Sequence, residues 1–259
     1  TSFGALIHEI TGSAIPQQIN GLHAVHAVDA AGVHPLLFAI GSERYTPYQI
    51  SDRPQEILTI ANQILGTNQL SLAKYLFITA YADNPELDIH DVAGYLMHVL
   101  ERIDLRRDLH FITNTTIDTL DYSGDGLNAG SKVTFAAAGK KKRTLCAEIP
   151  QALHIPGPFN QAKMALPGVL VVDGKSFTSY AEEKVTIANW CAEALQQDWE
   201  GIQLIVLADD AGFTAADLNN FVWVTFTRSN PAYDIYGIGS SQEFKHWGCT
   251  GPLIIDARN

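Results

Sequence analysis

Apolar residues along this chain gather in short unbroken runs, and the strongest of these recur in a fixed order. Leu36-Leu37-Phe38-Ala39-Ile40-Gly41 and Tyr75-Leu76-Phe77-Ile78-Thr79-Ala80 form one pair; Val169-Leu170-Val171-Val172-Asp173-Gly174 and Gln203-Leu204-Ile205-Val206-Leu207-Ala208 form another. Runs with no solvent-facing side are the signature of strands buried on both faces of a parallel sheet, so helices are predicted over both faces. Between the members of each pair lies a stretch with helical spacing, and both stretches carry the same tetrapeptide. Thr59-Ile60-Ala61-Asn62 lies 21 residues before Ala80, and Thr186-Ile187-Ala188-Asn189 lies 22 before Ala208. An acidic turn and a second helical pattern follow each time, the first ending near Arg106-Arg107-Asp108 and the second leading to Pro231-Ala232-Tyr233-Asp234. Matched order and spacing read as an internal duplication. The predicted fold is therefore α/β, two tandem copies of a βαβα unit with largely parallel sheets covered by helices.

Turn residues place the divide. Tyr122-Ser123-Gly124-Asp125-Gly126 reads as a turn, the segment from Gly139 to Arg143 as a solvated loop, and Ile155-Pro156-Gly157-Pro158 cannot continue a helix. The boundary is expected near residue 150, giving a first repeat over 1–150 and a second over 151–259.

Composition narrows the classes of function. The 259 residues are 46% hydrophobic and 17% charged, enough for a substantial core. A net charge of -11, with Lys140-Lys141-Lys142-Arg143 as the dense basic patch, argues against nucleic-acid binding. Cys146, Cys191 and Cys249 are odd in number and far apart, which suggests neither a disulfide framework nor a CxxC site and fits a reducing cytoplasm. No apolar run reaches the roughly 18 residues of a membrane span, and the first residues lack the basic and apolar regions of an export signal. The chain begins at Thr1 without Met and ends at Asn259, just after the strand-like Leu253-Ile254-Ile255. A fragment of a longer polypeptide and a trimmed one are both compatible with those ends.

Candidate chemistry is sparse. His23, His26 and His34 around Asp29 could bind a metal or move protons, yet strand alternation places His23 and His26 on opposite faces. Asp88-Ile89-His90-Asp91 and Asp209-Asp210 follow strands and precede helices, where open α/β sheets place ligands. Helix capping explains the same acids without a ligand, and is preferred. Arg228 is expected to pair with an acid or a helix end. Gly130-Ser131-Lys132 is not a P-loop or a dinucleotide fingerprint, and neither a nucleophile elbow nor a flanking signature at His246 or Cys249 supports covalent catalysis.

Asn114-Thr115-Thr116-Ile117-Asp118-Thr119-Leu120-Asp121-Tyr122 followed by Gly130-Ser131-Lys132 resembles the C-terminal region of UbiD decarboxylases, where an N-T-P-I-D-x-L-D-like segment precedes G-S-K. Upstream, the strand from Leu76 to Ala80, its acidic turn and the helix ending at Asp104-Leu105-Arg106-Arg107-Asp108 are similar to the same family, with Leu105 in place of Pro. The segments from His26 to Pro35 and from Val222 to Pro231 look like a longer subfamily often assigned to menaquinone biosynthesis. Thr116 stands where many relatives have Pro, and Gly41-Ser42-Glu43-Arg44 where some have a Lys-Lys pair.

The resemblance implies a parent enzyme that removes CO2 from an aromatic acid of the quinone-precursor type. It further implies prenylated FMN, a divalent metal (Mn or Mg) and potassium, held mainly by an N-terminal portion, with no cofactor expected on this portion itself. By the same likeness this chain is the C-terminal oligomerisation and active-site-closing domain, inactive alone, and its partners are the flavin-binding portion and further copies of itself. Asn114, Thr115, Thr116 and Ile117 would line the substrate pocket, Thr115 and Ile117 above all. Two other readings stay open: a stand-alone oligomerisation or scaffold module, and a metal-dependent hydrolase using His23, His26, His34 and Asp29.

Overall fold

The computed structural model describes residues 14–32, 35–43, 53–124 and 126–259. Among them the chain forms two five-stranded sheets and a separate hairpin. The first sheet holds β1 (Leu22–Ala27), β2 (Leu36–Gly41), β3 (Tyr75–Ala80), β4 (Leu109–Thr115) and β5 (Gly130–Ala137) in the order β1-β2-β3-β5-β4. Strands β2, β3 and β5 run parallel, flanked by antiparallel β1 and β4. In the second half come β6 (Gln161–Leu166), β7 (Val169–Asp173), β8 (Leu204–Leu207), β9 (Ile235–Gly237), the hairpin of β10 (Ser240–Glu243) and β11 (His246–Cys249), and β12 (Leu253–Asp256). Their sheet order is β6-β7-β8-β12-β9, again with parallel strands inside and antiparallel ones outside. With the hairpin set aside, both sheets have the same strand order, as the duplicated sequence pattern predicts.

Helix α1 (Ile15–Gln18) precedes β1, α2 (Glu56–Leu65) joins β2 to β3, and α3 (Val92–Leu100) follows β3. The second half repeats this with α4 (Tyr180–Ala194) between β7 and β8, and with α5 (Ala211–Thr214), α6 (Leu218–Arg228) and α7 (Pro231–Asp234) after β8. The two Thr-Ile-Ala-Asn tetrapeptides fall in α2 and α4, with Ile60, Ala61 and Ile187 buried. The acids before helices cap them: the carboxylates of Asp91, Asp210 and Asp217 accept from the backbone N–H of Gly94, Phe213 and Asn220 at 3.0, 2.8 and 2.9 Å. Helix α2 is capped from a distance, since Glu43 accepts from the N–H groups of Gln55, Glu56 and Ile57. The basic run beyond β5 serves a helix end: Arg143 donates to the Leu100 carbonyl at 2.7 Å, and Lys142 donates to that of Arg102.

Alternation along the central strands divides the core into layers. Leu37, Ala39, Leu76 and Ile78 pack against α2, whereas Leu36, Phe38, Tyr75 and Phe77 face the opposite way. Leu170, Val172, Ile205 and Leu207 pack against Trp190 of α4, and Val169, Val171 and Val206 face away from it. Those inner faces join one shared core with Tyr95 of α3 and with Phe221 and Phe226 of α6. The order is therefore helix, sheet, helices, sheet, helix. Phe226 meets Tyr75 at 5.0 Å and Phe77 at 5.9 Å between ring centroids, so a helix of the second half packs on the sheet of the first.

Candidate functional site

The stretch 114–117 leaves the edge of the first sheet through an irregular end of β4. The register of β4 and β5 shifts between Ile112 and Thr115, and Asn114 takes a left-handed φ of 52° that Asn tolerates better than most residues. Asn114 and Thr116 are exposed, Thr115 is half-buried, and Ile117 is fully buried. Two glycines make room for Ile117. A Cβ on Gly124 or Gly130 would lie 2.8 or 2.7 Å from Ile117 Cδ1. The sequence reading thus places these residues on one short segment, and the structure divides them between its surface and its support.

Residues 118–124 then form a loop with its own hydrogen bonds. Asp118 accepts from the Leu120 N–H at 3.0 Å, and Asp121 accepts from the Ser123 N–H at 3.0 Å and its hydroxyl at 2.6 Å. The anchor is Lys74, just before β3, whose Nζ meets Asp121 at 2.8 Å and donates to Ser123 Oγ at 2.7 Å. Both ends of this ion pair are buried. Burial holds the Lys74 ammonium below its ordinary pKa, and Asp121 acts in the opposite direction. The loop nevertheless turns Leu120 and Tyr122 outward, 69% and 88% exposed, with Leu127 and Ile112 exposed nearby in the sequence.

Beneath the loop lies a cavity of about 700 Å³ between the two halves, lined among others by Asp118, Tyr122, Phe177, Tyr180, Asp234 and Arg228. It sits at the carboxyl ends of β7 and β12, the edge where open α/β sheets accept ligands. Both arginines that line it are paired. Arg258 donates to Asp256 at 2.7 and 2.6 Å and to Glu183 at 2.7 Å, and Glu183 also takes Lys175 at 2.8 Å. Burial opposes the Arg258 cation, but its hydrogen bonds to Asp256 and Glu183 outweigh that and raise its pKa. Arg228 bonds Asp209 at 2.9 Å on the rim, the pairing anticipated from sequence. A second chain of polar contacts crosses the halves: Tyr75 Oη lies 2.7 Å from Ser229 Oγ, and Ser131 bonds Asn230.

Asp234 is the titratable oddity of the cleft. Burial, with a smaller push from Asp256, lifts its carboxyl to about 7, although it accepts from the Asn230 N–H at 2.6 Å. A carboxyl raised above its ordinary 3.8 contributes stability most fully below that value, and the contribution is lost as pH rises through about 7. Asp234→Asn should therefore gain on the native protein as pH climbs from 5 to 8, by on the order of 2 kcal/mol at pH 8. Thermal melts across that range check it, and an unchanged pH dependence would refute it.

The other candidates from sequence do not converge. His23 stacks on Tyr81 at 4.2 Å and lies 2.9 Å from Ser42 Oγ, while His26 meets the His90 ring edge-on at 4.4 Å. His34 and Arg44 lie outside the described residues, and among those described no three His, Cys, Asp or Glu side chains could hold a metal ion. No helix among them is long and apolar enough to cross a membrane. Cys249 is buried, and burial pushes its thiol up to about 12. Lys74, Glu183 and Arg258 escaped the sequence reading, and Asp121 and Asp234 entered it only as members of longer segments, with no role of their own. The available signals were charges set directly beside apolar strands, as in Ala73-Lys74-Tyr75 and Ile255-Asp256-Ala257-Arg258.

Fold and cleft together define a duplicated, layered α/β domain whose exposed feature is an anchored apolar loop at a sheet edge. Residues 1–137 match the 3-octaprenyl-4-hydroxybenzoate carboxy-lyase C-terminal domain, so the chain belongs to that family, the UbiD decarboxylases. A Chlamydia pneumoniae protein named as one subunit of a 4-hydroxybenzoate decarboxylase is 30% identical over 259 residues, covering 98% of this chain and 40% of its own length. An uncharacterized Chlamydia trachomatis protein is 33% identical over 255 residues, with coverages of 98% and 40%. The chain thus spans about two fifths of the length of these curated relatives. Among solved structures, the closed form of Sedimentibacter hydroxybenzoicus vanillic acid decarboxylase matches with a TM-score of 0.38 and 14% identity, over 69% of this chain and 31% of that one. The UbiD-class enzyme HmfF from Pelotomaculum thermopropionicum, in complex with FMN, matches with a TM-score of 0.39 and 16% identity, over 56% and 29%.

Proposed function

We propose that this chain is the C-terminal oligomerisation and active-site-closing part of a decarboxylase that removes CO2 from an aromatic acid of the quinone-precursor type, acting in the cytoplasm. The observation that carries the reading is the loop after residue 117, which exposes Leu120 and Tyr122 while Lys74 and Asp121 hold its base. An ordered loop with large apolar side chains in water marks a surface that another protein surface covers. In this reading the cover is the flavin-binding portion of the same polypeptide, and further copies of the chain complete a homo-oligomer. Residues 114–117 line the substrate pocket, with Asn114 and Thr116 at its surface and Ile117 beneath. Residues 1–150 and 151–259 act as the two repeats of the domain. In this reading prenylated FMN, Mn or Mg, and potassium belong to the flavin-binding portion.

The test compares the chain alone with the complete polypeptide, each supplied with prenylated FMN, manganese, potassium and 4-hydroxybenzoate or a naphthoate analogue. CO2 release is expected from the complete protein alone. Release by the isolated chain would overturn the proposal. In the complete enzyme, Thr116→Trp should lower kcat/KM at least about tenfold, roughly 1.4 kcal/mol of transition-state stabilisation, with the melting temperature unchanged.

A further inference from the structure

A second cavity, of about 360 Å³, lies between β4, α7 and the β10–β11 hairpin. Its polar residues include His110, His246 and Lys245, and Phe111 and Trp247 supply aromatic wall. The two imidazoles lie with ring centroids 5.5 Å apart and planes tilted by 58°, and Phe111 meets Trp247 edge-to-face at 5.6 Å. Nε2 of His246 is buried without a hydrogen-bond partner. An orphaned polar atom of this kind costs about 1–3 kcal/mol, which a ligand can recover. Lys245 occupies the left-handed second position of the hairpin turn, φ 66°, next to Phe244 at 47°, where Gly or Asn is the ordinary choice. The sequence thus keeps a cation beside the pocket against the preference of the turn.

We propose that this pocket binds a small organic carboxylate, its carboxylate group held by His110, His246 and Lys245 and its apolar body against Phe111 and Trp247. The surrounding charge favours an anion: none of the lining residues is acidic, and Arg107 adds positive potential. Burial, then His246, then Arg107 lower the His110 pKa to about 4, so that ring is neutral at pH 7 until an anion enters. Glu243, across the hairpin from His246, is exposed and outside the lining, and the facing residues of α7 and β9 (Pro231, Ala232 and Ile235) carry no charge. A carboxylate would turn the His110 ring into a charge-assisted donor, and binding should take up a proton. A divalent metal fits less well, because the pocket adds an ammonium and no third ligand.

The experiment follows the histidine ring signals of the full-length protein as pH is varied, with benzoate, inorganic phosphate or zinc added. Benzoate is expected to move the two signals that disappear in His110→Gln and His246→Gln, and to raise the His110 midpoint by roughly three pH units, to about neutral. Lys245→Gly suits the turn and keeps the hairpin, and should weaken benzoate about tenfold. Benzoate bound in a decarboxylase active site would leave these signals in place, so the outcome is independent of the function proposed above. Unmoved signals, an equal response to phosphate, a response to zinc alone, or undiminished benzoate binding in Lys245→Gly would each overturn the proposal.

Discussion

Arg258→Met should destabilise the protein by about 3–5 kcal/mol, the range for removing one partner of a buried ion cluster. For a chain of this length that is a fall of roughly 10 °C in Tm. Arg258 is 5% exposed and its guanidinium serves Asp256, Glu183 and the Lys175 carbonyl at once. Truncation leaves two carboxylates in a space built for charge, with Lys175 as the remaining cation on Glu183. Exposure decides the magnitude. Arg106 makes an equally short pair with Asp104, 2.8 Å, but its side chain is 68% exposed, so Arg106→Ala should cost under about 1 kcal/mol. Although burial works against the Glu183 carboxylate, its partners hold it below the usual pKa, so the cluster stabilises above the ordinary carboxylate value and fails as pH falls through the depressed one. Chemical denaturation of both variants at pH 7 checks the ranking. Equal losses would mean that burial is not what makes the Arg258 cluster strong.

The central strands were legible because burial on both faces writes an unbroken apolar run. Leu36 to Gly41 and Tyr75 to Ala80 are strands over the residues expected, and the repeated tetrapeptide marks equivalent helices. Edge strands were harder. In β6 every residue is exposed or half-buried, so Gln161–Leu166 carries no such run, and the β10–β11 hairpin opens on the wholly exposed Ser240–Glu243. Capping by Asp91 and Asp210 was readable since the partner lies three residues away; the distant cap from Glu43 to α2 was not. The same distinction governs the cleft. Lys74 looks like the solvated end of a strand until Asp121 folds over it, and Arg258 looks like a terminal charge until Glu183 of α4 reaches it. Local rules see neighbours along the chain, and buried ion pairs are made by topology.

Lys74→Met should be the most damaging single change at the loop, costing about 3–5 kcal/mol by leaving Asp121 unpaired where its side chain is 4% exposed. Lys74 also donates to Ser123 Oγ at 2.7 Å, and its Nζ lies 3.5 Å from the Thr227 carbonyl of α6, so the loss loosens the loop and its contact with the second half together. Amide exchange should therefore rise first across 118–124 while the strands of the first sheet stay protected. The double variant Lys74→Met with Asp121→Leu separates charge from packing. Replacing both members of a buried pair by apolar groups is often neutral, so it should recover most of the stability. If the proposed function holds, decarboxylation by the complete polypeptide should not recover with it, since Ser123 and the turn that Asp121 closes would still lack their bonds. If stability and activity returned in step, the loop would need only to be folded. If stability returned alone, the position of the loop over the cleft would be what the reaction requires.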